Sequence, residues 1–182
     1  MKIVIKNYYF IRLAYDDQKK VICKIKNHSF GKRQNYIYDS TNKLRYITDI
    51  ISKKNSGQNT DFHTYQIIEN ISGIKKLEGI AEIGYIDPTD DNCSKQFCFR
   101  PPFVNKLVIR FKTNGKMIII HLNRNGSSSI TDKDGKIVGE IKRKILKNYF
   151  TWYNEETIDI CLLCAIYLLT SYLYAENDFI II

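Results

Sequence analysis

Cys161 and Cys164 stand two residues apart in the run IDICLLCAIYLLTSYLYA, residues 158–175. A C-x-x-C pair does redox chemistry when a helix N-terminus and solvent access lower the pKa of its first thiol. Here Leu162 and Leu163 fill the spacing and the flanks are apolar, so burial raises the thiol pKa and shuts out reagents. Zinc would need two more ligands, and Cys93 and Cys98 offer them only at an unhelpful spacing. Both helix cysteines therefore read as core filler, the ordinary state of a free cysteine. Asp132-x-Asp134-Gly135 resembles the start of a calcium loop, but the glycine comes too early. The twelfth position of that loop would be Arg143, where a bidentate Glu is needed, so a hairpin turn is expected instead. His28, His63 and His121 show no metal-ligand spacing. No G-x-S-x-G elbow or phosphate-cradling glycine loop is present. No catalytic residue, cofactor site or metal site is assigned, and an enzyme is not expected.

What remains is basic. Lys142, Arg143, Lys144 and Lys147 form the run KRKILK. Strand alternation puts Lys142 and Lys144 on one face with Glu140. Near a membrane, each such charge is worth about 1 kcal/mol towards anionic lipid. A looser cluster holds Lys24, Lys26, Lys32 and Arg33. The competing reading is a set of strand lysines that keep sheets from pairing edge to edge.

These residues need elements to hold them. The chain has 182 residues, enough for one domain with a sizeable core, and 1–182 is expected to be that domain. Lys and Arg number 28 against 19 Asp and Glu, a net charge of +9, which favours anionic partners without choosing among them. MKIVIKNYYFIRL is interrupted by Lys6 and Arg12 and lacks the apolar core of a signal peptide. Five cysteines without a regular framework point to a reduced, cytoplasmic setting, at most peripheral to a membrane.

Most of the chain alternates with period two. Val21, Cys23 and Ile25 alternate with Lys24 and Lys26, and Leu44 to Ile50, His63 to Ile71 and Leu77 to Ile86 follow the same rule. The pattern predicts about a dozen strands, each with one apolar face. No helix precedes residue 154, so the sheet must be antiparallel. Asn114-Gly115 and Asp134-Gly135 predict hairpin turns with positive φ at both central residues. Asn125-Gly126 marks another turn. FRPPFVNK, residues 99–106, reads as a rigid extended connection, and residues 53–61 and 87–95 as polar loops.

One segment breaks the rule. A helix is predicted over about 155–173, with Asn154 as N-cap and Glu155 and Glu156 in the first turn. It has no polar stripe, so it belongs in a core or in lipid. A membrane span needs around 20 apolar residues, and Asp159, Thr170, Ser171 and Glu176 interrupt this one. A sheet of one-faced strands also needs something apolar to cover, and a helix threaded through a closed sheet meets both needs. No transmembrane span is expected.

There is an internal echo. YDSTNKLRYI and TDKDGKIVGEI both place Asp before a turn and Lys four residues later, at Asp39 and Lys43 and at Asp132 and Lys136. YIYDSTNKLRYI (36–47), ITDKDGKIVGEIKRK (130–144) and the helix from Asp159 to Tyr172, in that order, resemble the tubby C-terminal-like superfamily, which includes the LURP-one-related proteins and the phospholipid scramblases. The resemblance covers nearly the whole chain. It implies a mainly β, α+β fold: a twelve-stranded antiparallel closed barrel enclosing one hydrophobic C-terminal helix. It also implies a non-enzymatic binding module. Tubby proteins bind phosphoinositides through surface Lys and Arg, and scramblases are membrane-linked. No segment here aligns with the tubby lipid-binding residues, and the acidic calcium motif of scramblases is absent. The expected partner is an anionic lipid headgroup or an acidic protein. A structural protein of unknown partner, or nucleic-acid binding through the basic surface, is the alternative.

Overall fold

The computed structural model describes residues 1–8, 11–27, 34–53, 62–85, 104–123, 127–144, 147–154 and 158–178. Twelve strands run in order: β1 (Lys2–Asn7), β2 (Ile11–Tyr15), β3 (Val21–Asn27), β4 (Asn35–Asp39), β5 (Leu44–Lys53), β6 (Phe62–Ile71), β7 (Ile74–Tyr85), β8 (Val104–Phe111), β9 (Met117–Leu122), β10 (Ser127–Asp132), β11 (Ile137–Arg143) and β12 (Lys147–Trp152). One helix, α1 (Ile160–Asp178), follows. Each strand pairs antiparallel with its neighbours in sequence, and β1 pairs with β12 to close a barrel. The seam is fastened at its end by Met1 and Trp152, whose backbone nitrogens each donate to the other's carbonyl at 2.8 Å. Closure removes every free sheet edge, which answers the aggregation risk of so many apolar-faced strands.

Alternation sorts the strands as expected. Ile3 and Ile5, Cys23 and Ile25, Leu107 and Ile109, and Phe150 and Trp152 all face inward and are buried. They meet α1, where every residue from Leu163 to Thr170 is buried. The helix carries hydroxyls, and each has a partner. Thr170 and Ser171 donate to the carbonyls of Ile166 and Tyr167 at 3.0 and 3.1 Å. Asn148 donates to the Tyr167 hydroxyl at 2.8 Å, Tyr174 donates to the Ser127 carbonyl at 2.8 Å, and Asn35 reaches the Tyr172 hydroxyl. A polar atom inside an apolar barrel is stable only when paired in this way.

The helix starts later than the sequence predicts. Its N-cap is Asp159, not Asn154: Asp159 Oδ1 accepts the Cys161 N–H at 2.7 Å, and its carbonyl accepts the Leu163 N–H at 3.0 Å. Glu155 and Glu156 lie outside the described residues. Arg45 on β5 donates to Asp159 at 2.7 Å and also faces Asp39 at 3.8 Å, so the cap is tied to the β4–β5 hairpin.

Three hairpins share one device. The backbone N–H groups of Asp16, Asp39 and Asp132 each donate to the carbonyl of the Lys four residues on, at 3.0–3.1 Å. In each, the Asp carboxylate accepts the N–H of that Lys: Lys20 at 2.8 Å, Lys43 at 3.0 Å and Lys136 at 2.9 Å. The residue before the Lys is left-handed: Lys19 at φ 64°, Asn42 at φ 63° and Gly135 at φ 83°. A register shift follows at Ala14/Tyr15, Ile37/Tyr38 and Ile130/Thr131. This is the three-residue loop with a bulge, not the two-residue turn predicted at Asp134-Gly135. At Asn114-Gly115, too, only Gly115 has positive φ. The two-residue turn with both centres positive occurs at Ser72 and Gly73 instead, between the paired residues Ile71 and Ile74.

Candidate anion-binding face

In a barrel, residues two apart on one strand and opposite one another on the next share a wall. The register of β12, β1, β2 and β3 assembles such a wall. Lys147 pairs with Lys6, Lys6 with Leu13, and Leu13 with Lys24. One step along, Lys26 pairs with Ile11 and with Tyr36, and Lys24 with Tyr38. On the other side Lys142 of β11 pairs with Tyr149 of β12. The barrel thus joins KRKILK to Lys24 and Lys26, two clusters far apart in sequence, through Lys2 and Lys6 of the first strand.

Four lysines of this wall lie over rings. The Lys6 ammonium lies 4.7 Å from the Tyr15 ring centroid, Lys26 lies 5.4 Å from that of Tyr38, and Lys2 and Lys144 lie 5.7 and 5.5 Å from that of Tyr149. A ring face attracts a cation through its quadrupole and leaves the net charge intact. Among the described residues, Lys142 at the margin is the one wall lysine with a carboxylate, Glu140 at 3.3 Å. Lys6, Lys24, Lys26, Lys144 and Lys147 have no ion-pair partner among the described residues.

The basic run does not act as one piece. Lys142, Lys144 and Lys147 belong to the outer wall. Arg143 has the opposite parity, pairs with Asn148, and sits with its guanidinium 4.2 Å from the ring centroid of Tyr174 on α1. It covers the far end of the helix. Lys32 and Arg33, in the second cluster, lie outside the described residues, as do His28, Cys93, Cys98, Asn125-Gly126 and Pro101-Pro102.

The cysteines form a cluster, though not as C-x-x-C. Cys161 Sγ contacts Cys23 Sγ of β3 at 2.7 Å, and Cys164 also neighbours Cys23. All three are buried free thiols. The contact with Cys23 and then burial push the Cys161 thiol far above its ordinary value; Cys23 is raised by Cys164 and by burial, against a lowering contact from Cys161. Thiolate is suppressed in this setting. Asp132, Asp134 and Gly135 form the hairpin loop already described. His121 faces outward on β9 near Lys106, and burial, then that lysine, lower its pKa. No group of three or more His, Cys, Asp or Glu able to hold a metal ion occurs among the described residues. No described helix is long and apolar enough to cross a membrane.

Composition could have signalled the lysine–tyrosine wall, since the chain has 13 Tyr, and β1 reads KIVIK with lysines at its outward positions. The signal was missing its geometry, because β1 reaches the C-terminal strands only through barrel closure.

No family model matches the chain, and no curated protein matches it. Among solved structures, the chain is similar to a crystal structure of a protein from Arabidopsis thaliana, AT5G01750, with a TM-score of 0.53 at 10% identity, over 95% of this chain and 90% of that one. At that identity the likeness is one of fold: a closed twelve-stranded antiparallel barrel around a single C-terminal helix.

Proposed function

We propose that this chain is a non-enzymatic binding module of the tubby C-terminal-like type, and that its wall of β11, β12, β1, β2 and β3 docks on anionic lipid surfaces. The observation that carries the reading is the cation–ring arrangement. Lys2, Lys6, Lys26 and Lys144 rest on tyrosines that fix the ammonium groups without neutralising them. Lysine and tyrosine are also the residues suited to a headgroup layer, each with an apolar body and a polar tip. The outside of a closed barrel is convex, which fits a broad surface better than a strand lying in a groove. Tyrosine faces already covered by ammonium groups are poor platforms for stacking bases, so nucleic acid is the weaker occupant.

The test is equilibrium binding of the full chain to vesicles of neutral lipid and of neutral lipid mixed with phosphatidylserine, beside single-stranded RNA and double-stranded DNA at the same salt. The expected result is binding to the anionic vesicles alone among the lipids, weakening as salt shortens electrostatic reach to about 8 Å. Tighter binding to either nucleic acid would replace this reading with the nucleic-acid one.

A further inference from the structure

The helix does not fill the barrel evenly. It packs most closely on β5 and β8, then on β3 and β4. On the side of β9 to β12, at the mouth beside the helix N-terminus, a cleft of about 490 Å³ is left open. That volume lies within the range of small-molecule sites. Its floor is apolar, with Ile118, Val138, Trp152 and Leu162 among the lining residues.

Two polar groups in this cleft lack what burial demands. Trp152 is 6% exposed, and its Nε1–H has no hydrogen-bond partner among the described residues. The opposite edge of the indole packs on β11: a Cβ at Gly139 would stand 3.0 Å from Trp152 Cε3, so the edge bearing Nε1 points away from that strand. Glu78 is 7% exposed. It sits where β7 shifts register against Ile67 and Ile68, and it accepts the Thr113 hydroxyl. It has no cationic partner among the described residues. A buried carboxylate without a counter-charge and a buried donor without an acceptor are both costly.

The surrounding charge has the same sign as Glu78. Four carboxylates line the cleft against two lysines, in a chain whose net charge is +9. Asp132 and Asp159 are committed, one to the N–H groups of Asp134 and Lys136, the other to Cys161 N–H and Arg45. Asp134 is exposed at the hairpin tip, so Glu78 is the buried carboxylate left to meet a ligand.

We propose that this cleft binds a small organic cation: its ammonium group meets Glu78, its apolar body lies against Ile118, Val138 and Leu162, and an acceptor on it takes the Trp152 Nε1–H. The site is separate from the lysine wall and opposite to it in charge.

Trp152 is the chain's single tryptophan, so its indole N–H gives one assignable NMR signal. The full chain is titrated with phenylalanine methyl ester, under mildly acidic conditions that keep its amine protonated. N-acetylphenylalanine methyl ester supplies the neutral control and N-acetylphenylalanine the anionic one. The expected result is a saturable shift of the indole signal with the cationic ester, and binding of both controls at least about tenfold weaker, the range in which one charged contact operates. Glu78→Gln should weaken the cationic ester by a similar factor and erase the preference over the neutral one. Should that variant fail to fold, the three titrations of the unaltered chain decide alone. An unmoved indole signal with every probe, or equal binding of the cationic and acetylated esters, would overturn the proposal.

Discussion

The outer wall and the mouth of the barrel share β11 and β12 and carry opposite charge. On the wall, lysines of β1 and β3 stand over tyrosines of β2, β4 and β12 and keep their charge. At the mouth, two of the four carboxylates are spent on structure: Asp132 closes a hairpin, and Asp159 caps the helix and pairs with Arg45. Charge consumed by turns and caps tells of folding, and charge left over tells of binding. By that measure the wall and Glu78 are the residues proposed for binding, whereas Asp132 and Asp159 are structural.

The largest expected effect separates inside from outside. Ala165 on α1 is fully buried. Ala165→Asp should unfold the protein, because an unpaired buried charge costs several kcal/mol. A folded variant with an unchanged melting curve would mean that the helix is not enclosed. Next is Gly139, where a Cβ would meet Trp152 Cε3 at 3.0 Å and the Thr151 carbonyl at 3.1 Å. Gly139→Ala should cost about 1–3 kcal/mol in denaturant unfolding, as overpacking does. No change there would loosen the packing assigned to Trp152, and with it the cleft.

Asp159→Ala comes third. It removes a helix cap, worth about 1 kcal/mol, and leaves Arg45 without its 2.7 Å partner. Asn154→Ala should have a smaller effect, and the reverse order in urea midpoints would restore Asn154 as the cap. The smallest effect concerns the hairpins. Lys19 holds the left-handed position that Gly135 and Asn42 hold elsewhere. Lys19→Gly should raise stability by about 0.5–1 kcal/mol, since a left-handed lysine is strained. A loss of stability would mean that the three hairpins are not equivalent.

The strands were legible because one face of each is buried, so period two survives in the sequence at places such as Val21 to Lys26. The apolar helix was legible for the opposite reason, having no exposed face at all. Its start was misread because Asn154, Glu155 and Glu156 imitate a cap and first turn, while Asp159 looked like one polar residue inside an apolar run. The third hairpin, Asp16 to Lys20, escaped notice because its left-handed residue is a lysine, not Gly or Asn. KRKILK was visible as a run, but its division into outward lysines and an Arg143 laid over Tyr174 depends on parity at a strand end. The wall depends on pairs such as Lys6 with Lys147, which exist only once the chain's two ends meet. The cleft depends on an off-centre helix and a strand bulge at Glu78, and neither leaves a local pattern.

The most direct test of the central claim holds net charge constant. Lys6, Lys24 and Lys147 are changed together to Gln in one variant, and Lys75, Lys76 and Lys112, exposed residues away from the wall, in another. Binding to phosphatidylserine vesicles is measured for both at low and physiological salt. With about 1 kcal/mol per lysine at the surface, the first variant should bind on the order of 100-fold more weakly at low salt, and the second should bind nearly as the parent does. Equal losses in the two variants would mean that overall charge, and not this wall, draws the protein to the membrane.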